Sequence, residues 1–562
     1  MRIRHNDYGV LPVPELGSWE PALRVSVVIP AHDCQRTLDL TLAALSAQTY
    51  PRELIEVVVV DDGSPQPLRA PAGVTVLRAP SGGWGRAWAV QAGLDAASGE
   101  VTLVLDADIV PHPQHVEAHL RWHHQADYVV VLGWLDFTDS PLPTPEEVAR
   151  KPYDELFRLA PQRHDWAEAL IEAHDGLRKA PSSLAGHVHV GASASYPTWL
   201  LRAAGGLDVS LVLAEDTELG YRLTQAGAVF VPDPAARAWH VGLPTAMRDY
   251  PALKRHNDPY VADRVPYRRY LRTDPGRQWL VPYVEAVVHA AGYEDVRATV
   301  DSLLASSVPD LRVTVVGPWG SLGRERRSPL RDPDLDLRLV RAAFEHDPRV
   351  RLAAPDEPLP GEALPGKAGG AGTVGTVGAV APFVLRCPAG WTAGADTVAR
   401  LVERLEETDG GVLCAVLEET REGVMTARLE RTAALSRARH LAQPDEHVDD
   451  VVHELFGVEW VDGPGYGFAR RPKVYPPRRR RQPEPTPQDK ELARLRKRNA
   501  ALQAEVARLR REAAKGKRDT ERWRAKAENW RREAVRRERT VFRRAARKIG
   551  LTSFVRRPGP SS

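Results

Sequence analysis

Cysteine is scarce. Cys34, Cys387 and Cys414 are the three in 562 residues, too few and too scattered for a disulfide framework or a zinc-ligand spacing. The expectation is a reducing compartment such as the cytoplasm. No uninterrupted apolar run approaches the ~20 residues of a membrane-spanning helix, and residues 1–19 hold no apolar stretch of signal-peptide length. The chain therefore reads as soluble, or peripheral on the inner face of a cell membrane. Glycine is missing from the first strand-to-helix turn, Pro30-Ala31-His32-Asp33-Cys34, which excludes a dinucleotide fingerprint there. A strong net charge is missing as well, at +3 overall, but this near-neutrality conceals a segregation. From Arg471 to Ser562 there are 31 Lys+Arg against 10 Asp+Glu, a local +21, so the preceding residues carry −18. An acidic body with a basic tail suggests that the tail meets something anionic. A chain of this length exceeds one hydrophobic core and is expected to hold more than one domain.

What is present is an alternation of apolar strands and helices. Residues 25–30 and 101–105 read as buried strands, 55–60 as a second strand and 74–77 as a short third one, and residues 37–48 and 87–97 as helices. This spacing predicts an α/β domain with a parallel sheet and right-handed crossovers. Two of the strands end in acids, Asp61-Asp62 and Asp106-Ala107-Asp108. Ligands of open α/β sheets bind at the carboxyl ends of strands. Two carboxylates this close disfavour joint ionisation unless a cation joins them, and oxygen ligands favour Mg2+ or Mn2+. Acids at neighbouring strand ends suit a ligand with hydroxyl and imide donors and a metal-bound diphosphate, which describes a nucleotide sugar. The competing reading of each pair is an acidic turn closing a strand.

Taken together, Val25-Ser-Val-Val-Ile-Pro, Gln48-Thr-Tyr-Pro, Val58-Val-Val-Asp-Asp-Gly-Ser and Leu105-Asp-Ala-Asp resemble the opening of a family 2 glycosyltransferase with the GT-A fold, over residues 24–245. Further on, Glu215-Asp-Thr-Glu-Leu-Gly-Tyr-Arg-Leu resembles a run of the galactosyl/N-acetylgalactosaminyltransferases and the bacterial chondroitin-type polymerases. The resemblance implies an inverting transfer from a nucleotide-diphosphate sugar, UDP-linked, to a hydroxyl of a cell-surface glycan or lipid-linked acceptor. It implies that Pro30 and His32 flank the donor base, with Asp33 beside them, and that Asp62 accepts from a uracil imide. Arg86 contacts base or diphosphate. Asp106 and Asp108 form the DxD motif around Ala107, with Asp108 the firmer metal ligand, Asp106 near ribose or metal, and His240 completing the site for Mn2+ or Mg2+. Asp216 is the general base and Glu215 its neighbour or an acceptor contact; the plainer reading of both is helix capping. Lys254, Arg255 and His256 fall in a lid where cations would face the leaving diphosphate. The chain departs from the family at Val90-Gln91, where Arg-Asn is usual. His187 and His189 read as surface or strand positions rather than ligands.

A second set of elements repeats the order. Strand runs at 281–288 and 311–316 surround a helix at 291–306, and Phe383-Val-Leu-Arg-Cys-Pro parallels Leu103-Val-Leu-Asp-Ala-Asp. Arg386 and Pro388 stand where the first set has Asp106 and Asp108, so residues 278–470 are expected to form a degenerate GT-A-like domain; an unrelated small α/β domain is the alternative. Residues 355–378 are a Gly/Pro/Ala-rich loop. The expected organisation is an N-terminal extension (1–23), a catalytic domain (24–275), the degenerate domain (278–470), a Pro/Arg linker (471–487), a basic helical segment (488–548) and a disordered tail (549–562). Leu492, Leu495, Asn499, Leu502, Val506 and Leu509 follow a heptad pattern, which predicts a coiled-coil homodimer with Asn499 fixing register. For the basic helix beyond it, with Trp523 and Trp530, three readings stand: a solvated charged helix, an amphipathic helix on anionic lipid, and a contact to a polyanionic acceptor. Nothing in the first 470 residues points to nucleic acid. A catalytically inactive assembly scaffold, acting through the coiled coil, is the alternative function.

Overall fold

Three of the apolar runs become buried inner strands, and the run at 74–77 becomes an exposed edge strand. β1 (Val25–Ala31), β2 (Ile55–Asp61) and β3 (Thr75–Arg78) pair in parallel, and β1 also pairs in parallel with β4 (Val101–Leu105). β1 and β4 are covered on both faces, as inner parallel strands require. The sheet continues through β5 (Ile109–Pro111), β6 (Val129–Thr138), β7 (Ser193–Pro197) and β8 (Val229–Val241), in the order β3-β2-β1-β4-β7-β6-β8-β5. β7 runs antiparallel to both β4 and β6, while β6 and β8 are parallel. The helices Gln35–Ser46 and Arg86–Ala96 cross over, the first burying Leu38, Leu42 and Leu45.

The computed structural model describes residues 1–471 apart from 161–165, 245–247, 324–327, 329–330, 360–379 and 422. The coiled-coil and basic-helix expectations, the linker beyond Arg471 and most of the 355–378 loop lie outside the described residues.

A second sheet is built from β9 (Val284–His289), β10 (Leu311–Val316), β11 (Val350–Ala353), β12 (Phe383–Arg386), β14 (Val412–Thr420), β15 (Gly423–Arg431) and β16 (Val458–Asp462). Its order is β11-β10-β9-β12-β15-β14-β16. Strand for strand this is the order of the first sheet, with the same senses: β15 is antiparallel to β12 and β14, and β14 is parallel to β16. The edges differ. In the first sheet β8 continues onto β5, whereas β13 (Trp391–Ala393) and β17 (Phe468–Arg470) form a separate two-stranded ribbon.

Residues 1–471 pack as one compact unit, and the N-terminal segment is part of its interior. Ile3 and Asn6 are buried. Asn6 replaces a missing strand partner by donating to the Phe230 carbonyl and accepting from the Phe230 N–H, both at 2.9 Å. Arg437, from the helix Thr432–Leu441, is buried between the sheets and donates to the carbonyls of Gly227 (2.7 Å), Ala228 (2.9 Å), Ile3 (3.3 Å) and His5. A buried charge persists only when it is paired or fully hydrogen-bonded, and these carbonyls fulfil that need from both chain ends. His440 stacks on Trp199 with centroids 4.4 Å apart. No helix among the described residues is long and apolar enough to cross a membrane.

Candidate active site

The two acidic strand ends behave differently. At β2, Asp61 is buried and spent locally: it accepts from the Ser64 N–H and from Arg78 Nη1, each at 2.8 Å. Asp62 turns the other way and accepts from the Gly85 N–H at 2.6 Å. Its carbonyl lies 2.8 Å from His32 Nδ1, and Asp33, held at φ +47°, is pinned by its N–H on Ser64 Oγ. Pro30, His32, Asp33 and Asp62 thus share the mouth of β1 and β2.

The β4 end is fixed from four sides. The Asp106 N–H donates to Ala192 and the Asp106 carbonyl accepts from Ile109. The Ala107 carbonyl takes the Thr41 hydroxyl at 3.1 Å, and the Asp108 carbonyl takes the Val241 N–H at 2.8 Å. The side chains then diverge. Asp106 Oδ1 accepts from Arg86 Nε at 2.8 Å, while Asp108 Oδ1 faces His240 Nε2 at 3.8 Å. His240 Nδ1 lies 3.0 Å from the Gly242 carbonyl, which can only accept, so Nδ1 donates there and Nε2 is the ring nitrogen turned to Asp108. Two lone-pair donors at this separation are within the span of two ligands on one ion bound at ~2.1 Å. Among the described residues no group of three His, Cys, Asp or Glu side chains forms a ready cage. That donor set fits an ion such as Mg2+, which uses one or two protein ligands together with substrate phosphates. Burial, opposed by His240 and reinforced by Asp106, raises the Asp108 carboxyl above its ordinary range.

Arg86 opens the helix Arg86–Ala96 and joins three acids: Asp106, Glu215 through Nη1 at 3.3 Å, and Asp216 through Nη1 at 3.0 Å. Glu215 and Asp216 open the helix Glu215–Gln225, preceded by Ala214 in the left-handed region at φ +73°. A non-glycine residue there is strained, a feature that clusters at functional sites. The two neighbours titrate in opposite directions. Burial first, then the Asp216 charge, pushes Glu215 up to about 7. Burial also works against Asp216, but Arg86, then His189 and the Gly191 N–H, hold its carboxyl below the usual range. Pairs of acids driven apart in this way mark acid and base assignments.

Sequence reasoning missed several of the supports. His189 is buried, with Nδ1 2.8 Å from the Asp216 carbonyl and Nε2 2.7 Å from Tyr196 Oη, so it orients the acidic helix rather than lying at a surface. Gly191 leaves room for the carboxylate: a Cβ there would stand 2.3 Å from Asp216 Oδ1 and 2.9 Å from Arg86 Nη2. Glu218 and Arg222, in the same motif, form a buried pair that ties down the carbonyls of Ala204 and Gly206. Behind β7, His115, His119 and His123 interleave with Ser193 and Ser195 at 2.8–3.4 Å. Burial depresses the three imidazoles, His115 to about 4 and His123 to about 3, so the ladder is neutral. Lys254 pairs with Asp258 and His256 stacks on Tyr260, both within the helix Tyr250–Arg264, where Arg255 and His256 line an open pocket.

A mixed sheet that gathers acids at the carboxyl ends of its parallel strands, then returns through an antiparallel strand to a second acidic helix, is the GT-A-like frame of the glycosyltransferases. Residues 26–166 match the model of the glycosyl transferase family 2 domain. A chondroitin synthase of Pasteurella multocida (strain Pm70) is 26% identical over 380 residues, covering 62% of this chain and 37% of that protein. Validoxylamine A glucosyltransferase of Streptomyces hygroscopicus subsp. limoneus is 35% identical over 150 residues, covering 24% of this chain and 32% of that one. The chain thus spans about a third of the length of these two curated relatives. Among solved structures, the mannosyltransferase PcManGT from Pyrobaculum calidifontis, in complex with GDP-Man and Mn2+, aligns at 18% identity and a TM-score of 0.33, over 47% of this chain and 68% of that one.

Proposed function

We propose that the chain is a metal-dependent, inverting glycosyltransferase that moves a sugar from a UDP-sugar to a hydroxyl of a cell-surface glycan or lipid-linked acceptor. The observation that carries this reading is the convergence of Asp106, Glu215 and Asp216 on Arg86, with Asp108 facing His240 at the same strand end. An ionised Asp216 beside a Glu215 that keeps its proton up to about pH 7 is a base ready at neutral pH.

The donor base lies against Pro30, His32 and Asp33, with its imide on Asp62. Asp108 and His240, with Asp106 alongside, would hold Mg2+ or Mn2+, and such an ion would supply charge neutralisation for the donor diphosphate. Asp216 takes the proton of the acceptor hydroxyl at its carboxylate, and that oxygen attacks the anomeric carbon opposite the diphosphate as the bond from that carbon to the diphosphate oxygen breaks, so that UDP leaves with the electron pair and the carbon is inverted. His189 and Gly191 keep Asp216 aimed. Glu215 offers its proton as a hydrogen bond to the acceptor.

The second sheet reads best as a GT-A-like copy without the chemistry. Its strand order is supportive, and Arg386 and Pro388 replace the DxD acids. For the basic C-terminal segment we favour a coiled-coil homodimer carried on an anionic membrane surface, on its heptad pattern and local charge of +21.

The test is a screen of nucleotide sugars for hydrolysis or transfer with and without Mn2+ or Mg2+. The expected result is turnover of a UDP-sugar that EDTA abolishes, with Asp108→Ala and Asp216→Asn folded and inactive. Full turnover in EDTA, or an active Asp216→Asn, overturns the reading.

A further inference from the structure

The outer strand of the second sheet, β16, pairs with β14 on one side and, among the described residues, with no strand on the other. Its hydrogen bonds show which groups point outward. In a parallel pair, alternate residues turn both backbone groups to the neighbour and those between turn both away. At one end of β16 the Gly457 carbonyl accepts from the Gly411 N–H at 3.1 Å, and at the other the Gly463 N–H donates to the Val416 carbonyl at 2.8 Å. Glu459 and Val461 share that side by alternation, so Val458, Trp460 and Asp462 turn their N–H and C=O groups to the open edge. There the Val458 N–H reaches His453 Nδ1 at a long 3.4 Å. The Trp460 side chain is 60% exposed.

The first sheet treats its matching edge differently. β8 is covered by β5 at Ala238–His240, and further back Asn6 takes both backbone groups of Phe230. In the second sheet β13 pairs with β17 instead of covering β16. An unpaired edge of this kind is a template for another strand.

The sequence of the edge matches itself. A second β16 turned about a two-fold axis at Trp460 lies antiparallel, with Trp460 opposite Trp460, Val458 opposite Asp462 and Glu459 opposite Val461. Each outward residue then meets an outward residue, the hydrogen-bonded pair of an antiparallel ladder. No carboxylate faces a carboxylate, and Glu459 is already held by Arg404 at 2.7 and 2.9 Å. The two indoles become cross-strand neighbours on one face, a favourable aromatic pair. The contact closes on itself. The heptad pattern of residues 492–509 argues, on sequence alone, for two copies in the same assembly.

We propose that β16 is a dimerisation edge, at which two copies of this chain join antiparallel through Trp460 and continue one sheet into the other. The occupant is a second copy, and the pairing needs nothing from the donor site. Two strands of this length bury less than the ~800 Å2 per partner of a stable interface, so the contact depends on protein concentration or on a second link between the copies.

The experiment uses the full chain. Trp460→Cys is made in a Cys414→Ala background, because Cys414 is the β14 neighbour of Trp460. A hydrogen-bonded antiparallel pair sets its Cα atoms about 5.5 Å apart, within the reach of a disulfide. Mild oxidation is expected to give a covalent dimer, and Glu459→Cys in the same background is expected to stay uncrosslinked. Trp460→Pro and Trp460→Lys remove the outward N–H or place a charge on the edge without touching the bonds to β14. Both are expected to melt as wild type does and to weaken dimerisation about tenfold or more by sedimentation equilibrium. Hydrogen exchange over residues 457–463 is expected to slow as wild-type concentration rises. A Trp460→Cys chain that does not cross-link, or a Glu459→Cys chain that does so as fast, overturns the pairing. Wild-type dimerisation in both edge variants overturns it too. Exchange equally slow at low and high concentration puts another part of the same chain on the edge and also overturns it.

Discussion

Removing Arg86 should move the pH at which the base fails. Two unit charges about 4 Å apart at an effective dielectric of about 20 interact by about 4 kcal/mol. Arg86 divides itself among three carboxylates and is 21% exposed, with Asp216 at 29%, so about half of that, ~2 kcal/mol, is a reasonable share for Asp216. Losing that share in Arg86→Met raises the Asp216 carboxyl towards and above its ordinary range, because burial then acts unopposed by the guanidinium. Only ionised Asp216 accepts a proton, so in wild type activity is lost on acidification below the ordinary carboxylate range, and in the variant it is lost at a clearly higher pH. The assay is kcat/KM for donor turnover from pH 4 to 9. Arg86→Lys, which retains a charge, should restore most of the shift. Stability gives a readout that needs no substrate. The depressed pKa of Asp216 stabilises the fold above the unfolded carboxyl pKa and is lost as pH falls through the folded value, so Arg86→Met should lose stability at pH 7 and little at pH 3. An acid limb that stays in place in Arg86→Met, with Asp216→Asn inactive, would refute the electrostatic role assigned to the guanidinium.

Glu215 gives the opposite signature. Its folded pKa of about 7 lies above the ordinary 4.5, so the unfolded chain releases that proton first and the group costs stability as pH rises from 4.5 to 7. Glu215→Gln should therefore raise the melting temperature at pH 8, by the equivalent of about 3 kcal/mol at most, and leave it unchanged at pH 4. Gly191→Ala puts a methyl where Asp216 Oδ1 and Arg86 meet; displacing the base by about 1 Å should cost about 100-fold in kcat, with metal affinity by calorimetry retained. Arg437→Met leaves four carbonyls without their donor between the sheets. It should cost about 3–5 kcal/mol, and residues 1–471 should still unfold in one transition by circular dichroism; two separated transitions in wild type would contradict the shared interior.

Much of this site was legible because strands and their ends are local. Valine-rich runs ending in aspartate announce inner parallel strands that deliver acids to one edge, and β1, β2 and β4 do so. The division of labour between adjacent acids was not local. Asp61 is consumed by Arg78, and Asp62 is spared for the mouth. Arg86 meets Asp216 across 130 positions, and no pattern at either residue signals the other. The histidines at 115, 119 and 123 share one helix face, and only the serines at 193 and 195, alternating on β7, show that face to be an interior. The two sheets sharpen the point. In the second, the cation stands at the strand end itself, where Arg386 Nε meets Glu430 of the neighbouring β15 at 3.1 Å. That frame neutralises itself within the sheet. In the first, three acids, Asp106, Glu215 and Asp216, gather around one guanidinium brought from another element, and a fourth, Asp108, faces His240 beside them. One proton on Glu215 reduces the excess and does not remove it. Equal strand order with unequal charge is what separates a frame that is complete in itself from one whose remaining negative charge calls for a cation.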